Sequence, residues 1–166
     1  MSGAGAPSVQ HIDAEGLRVA VVASSWHDTV MDGLIAGATA ACTRAGAVSV
    51  LHRVPGSFEL PLAAQVAAAA GFDAVVALGV IIRGGTPHFE FVCDAAASGL
   101  SRVALDTGVP IGFGLLTCDD EAQALDRAGL PDSHEDKGRE AAEAALSLAL
   151  TLRTVRRPGA GVPTGF

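Results

Sequence analysis

The sequence is poor in aromatic residues and has no long uncharged segment. Only 4% of its 166 residues are aromatic, with a single Trp and no Tyr. The longest run without a charged side chain is LPLAAQVAAAAGF, at 60–72. This run is shorter than the ~20 apolar residues that a membrane-spanning helix needs, and it contains both Pro and Gln. We therefore expect no membrane span.

Basic residues are also few, and they are scattered. The chain has 11 Lys and Arg against 18 Asp and Glu, a formal net charge of −7. Because nucleic-acid binding needs a clustered basic face, we expect no nucleic-acid partner. The first residues, MSGAGAPSVQHIDAEG, have neither the basic start nor the apolar core of a secretion signal. These features predict a cytoplasmic protein.

The three cysteines are odd in number and do not have the spacing of a metal site. They stand at Cys42, Cys93 and Cys118. We interpret them as buried free thiols of a cytoplasmic protein, and we expect no metal.

The sequence is rich in small and branched apolar residues. Hydrophobic residues make up 49% of the chain, and the mean hydropathy is +0.40. This value is high for a domain outside a membrane. We therefore expect apolar surface to be buried between the subunits of a homo-oligomer.

Apolar segments alternate between strand-like and helix-like patterns. The clearest strand is DAVVALGVII at 73–82, which is continuous and β-branched, as in a strand that is covered on both faces. Further strands are predicted at 17–23, 47–53 and 109–117. Helices are predicted at 28–45, from the VPGSFELP turn to about residue 70, at 87–105, at 120–128 and at 135–154. This alternation predicts an α/β domain whose parallel sheet carries helices on both faces.

One domain is predicted at 17–156, between flexible Gly/Pro-rich segments at 1–16 and 157–166. Ligands of open α/β sheets bind beyond the carboxyl ends of the strands. The segments that we expect to carry function are therefore four strand-to-helix turns: SSWHDT (24–29), VPGSFE (54–59), RGGTPH (83–88) and TCDDE (117–121).

The RGGTPH turn has the residues of an anion site. Pro87 suits the first position of a helix, and Thr86 is a good N-cap before it. Gly84 and Gly85 allow a tight turn with outward amides at the positive helix end. A well-capped turn without a ligand fits these four residues equally well. His88, in the first helical turn, favours function because it can exchange protons near neutral pH.

The other turns permit two interpretations each. Trp26, the only Trp, fits either the core or a stacking contact with a flat heterocycle. Glu59 either accepts hydrogen bonds from hydroxyl groups or complements a helix dipole. Arg127 and Lys137 are either solvated charges or partners of a phosphate. The Rossmann fingerprint, the P-loop and the G-x-S-x-G elbow do not occur.

Taken together, five separated segments resemble the lumazine synthase (6,7-dimethyl-8-ribityllumazine synthase) family. The most specific is GVIIRGGTPHFEFV, which resembles the family signature G-x-x-I-R-G-x-T-x-H-F-x-x-V. The others are ASSWH, PGSFELP, PIGFGLLT and QALDRAG…DKG, in the family's order, and the resemblance runs from Leu17 to Leu152. It implies a three-layer α/β/α sandwich with a four-stranded, mainly parallel, flavodoxin-like sheet.

The reaction that the resemblance implies condenses 5-amino-6-(D-ribitylamino)uracil with 3,4-dihydroxy-2-butanone 4-phosphate, with loss of phosphate and water. It is the penultimate step of riboflavin biosynthesis, and it uses no cofactor and no metal. His88 would be the proton shuttle. The residues implied for the pyrimidine and its ribityl chain are Trp26, Ser57, Phe58, Glu59, Val80, Ile81 and Ile82. The residues implied for the phosphate are Gly84, Gly85, Thr86 and Arg127.

A neighbouring subunit would complete the site with Phe113, with Lys137 nearby. We interpret Arg83 as structural, through packing or an inter-subunit ion pair, and give Cys118 no role, because relatives often have Thr there. The family forms pentamers and, in some members, shells of sixty subunits. The long segment RAGLPDSHEDKG favours an isolated pentamer or a pair of pentamers.

Two alternative functions remain at this point. A lumazine- or flavin-binding paralogue without turnover would use Trp26 and Glu59, but it would need neither His88 nor the anion turn. A flavodoxin-like signalling module would need an acidic cluster or a flavin-phosphate loop after the first strand, and SSWHD is neither. The GGTPH segment and Arg127 favour the enzyme.

Overall fold

A computed structural model describes residues 12–156. The predicted flexible tail at 157–166, and residues 1–11 of the predicted N-terminal segment, lie outside this range. The strands are β1 (Arg18–Ser24), β2 (Val48–Val54), β3 (Ala74–Ile82) and β4 (Ile111–Cys118). The helices are α1 (Asp28–Arg44), α2 (Leu60–Ala69), α3 (His88–Thr107), α4 (Glu121–Leu125) and α5 (Lys137–Val155), with a 3₁₀ turn at Ser57–Glu59.

The four strands form one parallel sheet in the order β2-β1-β3-β4. The first seven residues of β3, at 74–80, are all buried, as its continuous apolar sequence predicts. The edge strand β2 is mostly exposed. Because the chain moves from β1 outward to β2 and then returns to β3 on the other side of β1, the strand order reverses between β1 and β3. Ligands of open α/β sheets bind at this reversal.

Helices cover both faces of the sheet. One core cluster joins α1 and α5 to the sheet, and a second joins α2 and α3 to the opposite face. Small residues let α1 and α5 approach closely: a Cβ atom at Gly138 would lie 2.0 Å from the Leu34 carbonyl oxygen. The predicted α/β/α class with a flavodoxin-like sheet is confirmed.

The ordered packing begins before the first strand. Ala14 is 1% exposed, and its amide donates to the Ala45 carbonyl at 2.7 Å. Ile12 packs against the same core. The division of the chain at residues 16/17 and 156/157 stays a prediction.

Two local expectations need correction. Thr86 is not the N-cap of α3, because the helix begins at His88 and its N-cap is Pro87, with φ −63° and no capping side chain. A proline fits this position because its φ is already that of a helix. Cys42 and Cys118 are buried as predicted, but Cys93 is only partly buried, and all three thiols are free.

No helix within residues 12–156 is long and apolar enough to cross a membrane.

Candidate active site

The candidate site lies at the strand-order reversal, beyond the carboxyl ends of β1 and β3. The register pairs Ala23 of β1 with Leu78 of β3, so that β3 continues past the end of β1. Trp26 follows β1 and is 68% exposed. A large apolar ring with this exposure is not part of the core of the chain. It is therefore available to a ligand or to another copy of the protein.

The turn after β1 has an unusual backbone. His27 has φ 60° and ψ 66°, the left-handed conformation, and it is the only non-glycine residue at 12–156 with positive φ. L-residues pay a steric cost in this region, and such strain often occurs at functional sites. Ser25 Oγ donates to the Val54 carbonyl at 2.8 Å, which joins this turn to the end of β2.

The turn after β2 lies against β3. Ser57 is buried, and its Oγ donates to the Val80 carbonyl at 3.4 Å, a long hydrogen bond. A Cβ atom at Gly79 would come within 2.8 Å of Ser57 Oγ, so glycine there allows the turn to approach the strand. Phe58 is 63% exposed and Glu59 is also exposed. The buried Ser57 therefore anchors a turn whose next two side chains face outward.

Gly56 brings the first two turns together. A Cβ atom at Gly56 would lie 3.1 Å from Glu59 Oε2 and 3.7 Å from Trp26 Nε1. A carboxylate and an indole ring thus stand beside one small gap. This pair can stack on a flat ring and accept hydrogen bonds from its substituents.

The turn after β3 is open to solvent. Residues 83–88 are all exposed, and no side chain caps α3. Neither Gly84 nor Gly85 has a left-handed backbone, and a Cβ atom at either position would meet nothing within 4 Å. Neither backbone conformation nor crowding within the chain therefore requires glycine at these positions. The first amides of a helix have no partner within the helix and favour an anion.

Beyond the turn, His88 begins α3. Val80 is buried, whereas Ile81 and Ile82 are partly buried at the end of β3. The predicted residues of the first three turns thus follow the carboxyl ends of β1, β2 and β3 at one edge of the sheet, and we call the space between the turns after β1 and β3 the crevice.

Arg127 lies beside the end of β4. Its Nη1 donates to the Gln123 carbonyl at 2.8 Å, and it stands 3.9 Å from Asp126. Burial raises the pKa of the Cys118 thiol, and the nearby charge of Arg127 opposes that rise. These contacts hold the guanidinium near the fourth turn, at the end of β4.

Phe113 lies away from the strand-end turns within one chain, whereas Lys137 is next to Arg127, whose carbonyl accepts from the Lys137 amide at 3.0 Å. Lys137 Nζ pairs with Glu135 at 2.6 Å and with Glu140 at 2.8 Å. Burial lowers the pKa of Lys137, but these hydrogen bonds outweigh it and raise the pKa overall. Phe113 is 50% exposed on the edge strand β4, five residues before the end of that strand at Cys118. At ~3.3 Å per residue, that is about 16 Å from the carboxyl edge of the sheet.

The two acidic partners of Arg83 were not predicted from the sequence. Arg83 contacts Asp119 and Glu90 within the same chain. The sheet register contains the signal for one pair: Ile82 pairs with Cys118, so the residues that follow them are neighbours. The expectation that Arg83 is structural through packing or an inter-subunit ion pair did not include these partners.

Among residues 12–156, no three His, Cys, Asp or Glu side chains come together as metal ligands.

Known proteins resemble the chain over nearly its full length. Residues 16–153 match the family model for 6,7-dimethyl-8-ribityllumazine synthase. A protein of that name from Leifsonia xyli subsp. xyli is 64% identical over 157 residues, which cover 94% of this chain and 99% of the relative. One from Streptomyces avermitilis is 59% identical over 95% of this chain and 99% of its own. One from Kocuria rhizophila is 64% identical over 92% of this chain and 99% of its own.

Proposed function

Because this chain belongs to the 6,7-dimethyl-8-ribityllumazine synthase family, we propose that the crevice between β1 and β3 is its active site. The protein is a transferase of riboflavin biosynthesis. It condenses 5-amino-6-(D-ribitylamino)uracil with 3,4-dihydroxy-2-butanone 4-phosphate and releases phosphate and water. The single observation that carries the assignment of the site is the open start of α3, with two unobstructed glycines, Gly84 and Gly85, in the turn that leads to His88.

The turn after β3 binds the phosphate of the butanone. Backbone amides of Gly84, Gly85 and Thr86 surround an anion at the positive end of a helix of twenty residues. Arg127 supplies a full positive charge beside the same edge of the sheet. Since the whole chain carries a net charge of −7, this local concentration of donors attracts the doubly charged substrate to one place.

The pyrimidine binds next to it, between the first two turns. Trp26 stacks on the ring, and Glu59 accepts hydrogen bonds from hydroxyl groups of the ribityl chain. Ser57 and Phe58 form the side of the pocket. The backbone of residues 80–82 lines its floor, because β3 extends past β1.

His88 moves protons during the reaction. It is exposed at the start of α3, next to the phosphate turn, and it exchanges protons with the carbonyl oxygen and with the leaving phosphate. Imine formation, phosphate elimination and ring closure each transfer a proton but exchange no electrons with an external group. The proposal therefore includes no cofactor. Orienting two substrates supplies much of the catalysis, with effective molarities that reach ~10⁵ M or more.

The active site is shared between copies in a cytoplasmic homo-oligomer, a pentamer or a pair of pentamers. Phe113 lies too far from the crevice of its own chain and, with Lys137 nearby, completes the crevice of a neighbour. Large apolar side chains that are exposed in the single chain support this: Leu62 is 69%, Val66 61% and Val48 60% exposed. Burying such surface stabilises subunit contacts.

Mixing two variants tests the shared site. His88→Ala and Phe113→Ala chains are each expected to be poorly active alone. Oligomers reassembled from both contain some sites with a native His88 and a native Phe113, so activity rises on mixing. If activity stays at the average of the two pure variants, both residues act within one chain. A mass near sixty subunits by light scattering would contradict the proposed assembly.

Turnover by the purified protein tests the function itself. The two substrates are mixed with the protein, and product absorbance and inorganic phosphate are followed together. The proposal predicts one phosphate per lumazine formed. Tight lumazine binding without turnover would instead indicate a non-catalytic binding protein.

A further inference from the structure

Arg83 connects three elements at the edge of the candidate site. Its Nε donates to Asp119 Oδ1 at 2.8 Å, and its Nη1 donates to Glu90 Oε1. Its guanidinium lies over the Phe89 ring, 4.2 Å from the centroid. Its backbone amide donates to the Cys118 carbonyl at 2.9 Å. The residue therefore joins the ends of β3 and β4 to the first turn of α3.

The segment between these contacts has little packing of its own. Gly84 and Gly85 have nothing within 4 Å of their Cβ positions, and no side chain caps α3. The position of the turn is therefore set mainly at its two ends. Arg83 is one end of the turn. The other end is the start of α3, where Arg83 contacts Phe89 and Glu90, the two residues that directly follow His88.

The charges of Arg83, Asp119 and Glu90 favour a fixed ion-pair bridge between the two carboxylates. The pKa of Glu90 is lowered, first by a backbone hydrogen bond at the helix start and then by Arg83, so this carboxylate stays ionised. Two carboxylates around one guanidinium offset its charge and occupy two of its edges. A planar guanidinium can hold two carboxylates in a set geometry, which an ammonium group cannot do.

We propose that Arg83 is a positioning residue for the condensation, because its bridge between Asp119 and Glu90 fixes the 84–87 turn and His88 relative to the sheet. This inference rests on the proposed function for its kinetic consequence. Exposed ion pairs add little to overall stability. A displacement of about 1 Å in an active site, however, can lower the rate by ~100-fold.

The competing explanation is that Arg83 acts by its charge, as a direct attraction for the substrate phosphate. The two explanations predict opposite effects for the carboxylates. If charge alone matters, Asp119→Asn and Glu90→Gln remove negative charge near the phosphate and lower the KM of the butanone phosphate. If positioning matters, the same variants release the turn, and they raise that KM and lower kcat.

The experiment compares Arg83→Lys, Asp119→Asn and Glu90→Gln with a matched control pair on the same helix. Arg102 and Asp106 of α3 form an exposed ion pair at 3.1 Å, away from the turn. Arg102→Lys and Asp106→Asn therefore make the same chemical changes without touching the bridge. Steady-state kinetics is measured with each substrate varied, and amide hydrogen exchange of residues 84–90 is measured in the protein without substrate.

Positioning predicts three results. Each bridge variant lowers kcat by about 10- to 100-fold and raises the KM of the butanone phosphate, with little change in the KM of the pyrimidine. Exchange of residues 84–90 becomes faster, while the control variants match the wild type. Arg83→Lys combined with Asp119→Asn is no worse than Arg83→Lys alone, because both remove one bridge.

Either of two results overturns the inference. One is a lower KM for the butanone phosphate in Asp119→Asn and Glu90→Gln. The other is wild-type exchange at 84–90 in Arg83→Lys. Because exchange needs no turnover, it decides the positioning claim even if the wild-type protein proves inactive, which would count against the proposed function alone.

Discussion

Glu59 and Trp26 both lie close to Gly56, with the carboxylate and the indole nitrogen 3.1 and 3.7 Å from the position that a Cβ atom would take there. Two turns that are thirty residues apart in sequence thus form one small pocket wall. The gap exists because position 56 carries no side chain. Its backbone, with φ −150°, is one that any residue adopts.

Gly56→Ala is therefore expected to affect binding more than folding. The added methyl group needs only a shift of the flexible Glu59 carboxylate, so the unfolding free energy changes by less than about 0.5 kcal/mol. The displaced carboxylate raises the KM of the pyrimidine about three- to tenfold with a smaller change in kcat. Kinetics with the pyrimidine varied checks this, and an unchanged KM would show that the gap is not part of the pocket.

The left-handed backbone at His27 predicts an ordering of substitutions. His27→Val places a β-branched residue at φ 60° and destabilises the protein by about 1–2 kcal/mol. His27→Asn and His27→Gly are expected to be neutral, since these residues adopt the left-handed region readily. Urea unfolding at one fixed protein concentration measures the series. Equal stability of the Val and Gly variants would show that the left-handed backbone at position 27 carries no steric strain.

Two glycines predict opposite outcomes for the same change. A Cβ atom at Gly138 would lie 2.0 Å from the backbone oxygen of Leu34. Gly138→Ala therefore forces α1 and α5 apart and costs about 1–3 kcal/mol. Gly85→Ala meets nothing within 4 Å and changes the unfolding free energy by less than about 0.5 kcal/mol. Thermal unfolding of both variants checks the contrast, and a larger loss in Gly85→Ala would contradict it.

The loop before α5 contains a pH-sensitive pair. His134 Nδ1 contacts Asp126 Oδ1, and this hydrogen bond raises the pKa of His134 and lowers the pKa of Asp126. The stabilisation that comes from the raised pKa of His134 is complete below the ordinary histidine pKa of ~6.5. It is lost as pH rises through the pKa of His134 in the folded protein. Stabilisation by Asp126 is present above its ordinary pKa of ~3.9 and is lost as pH falls through the lower folded value.

Proton NMR titration of His134 tests this pair. The wild-type ring is expected to titrate above the ordinary range of histidine, and Asp126→Asn should return it to that range. A His134 midpoint that is the same in both proteins would show that the two side chains do not interact in solution.

The fold could be predicted because apolar runs and helix-terminating glycines in the local sequence determine where its strands and helices lie. The run AVVALGVII can be buried on both faces only at the centre of a parallel sheet, and β3 lies there. Gly46 and Gly108 follow the ends of α1 and α3 with positive φ, as terminating glycines do. The start of α3 was misplaced by one residue, because Pro87 fits both an N-cap and a first helical position.

The candidate site could be predicted where it depends on strand ends. Trp26, Glu59 and His88 follow three different strands, and parallel strands bring their carboxyl ends to one edge. The pairing of Arg83 with Asp119 could not be predicted, since it depends on the register between β3 and β4, and the pairing with Glu90 depends on how α3 begins. The position of Phe113 on the exposed edge strand, about 16 Å from that edge, also depends on the fold rather than on its local sequence. The functions of the site residues stay predictions.

The most direct test of the account is the turnover number of His88→Ala, measured with both substrates saturating. General acid–base catalysis typically contributes about 10²- to 10⁴-fold. The account predicts a loss of kcat in that range, with melting temperature and both KM values close to those of the wild type, because His88 is exposed and not part of the core. A variant that forms lumazine as fast as the wild type would contradict the role of His88.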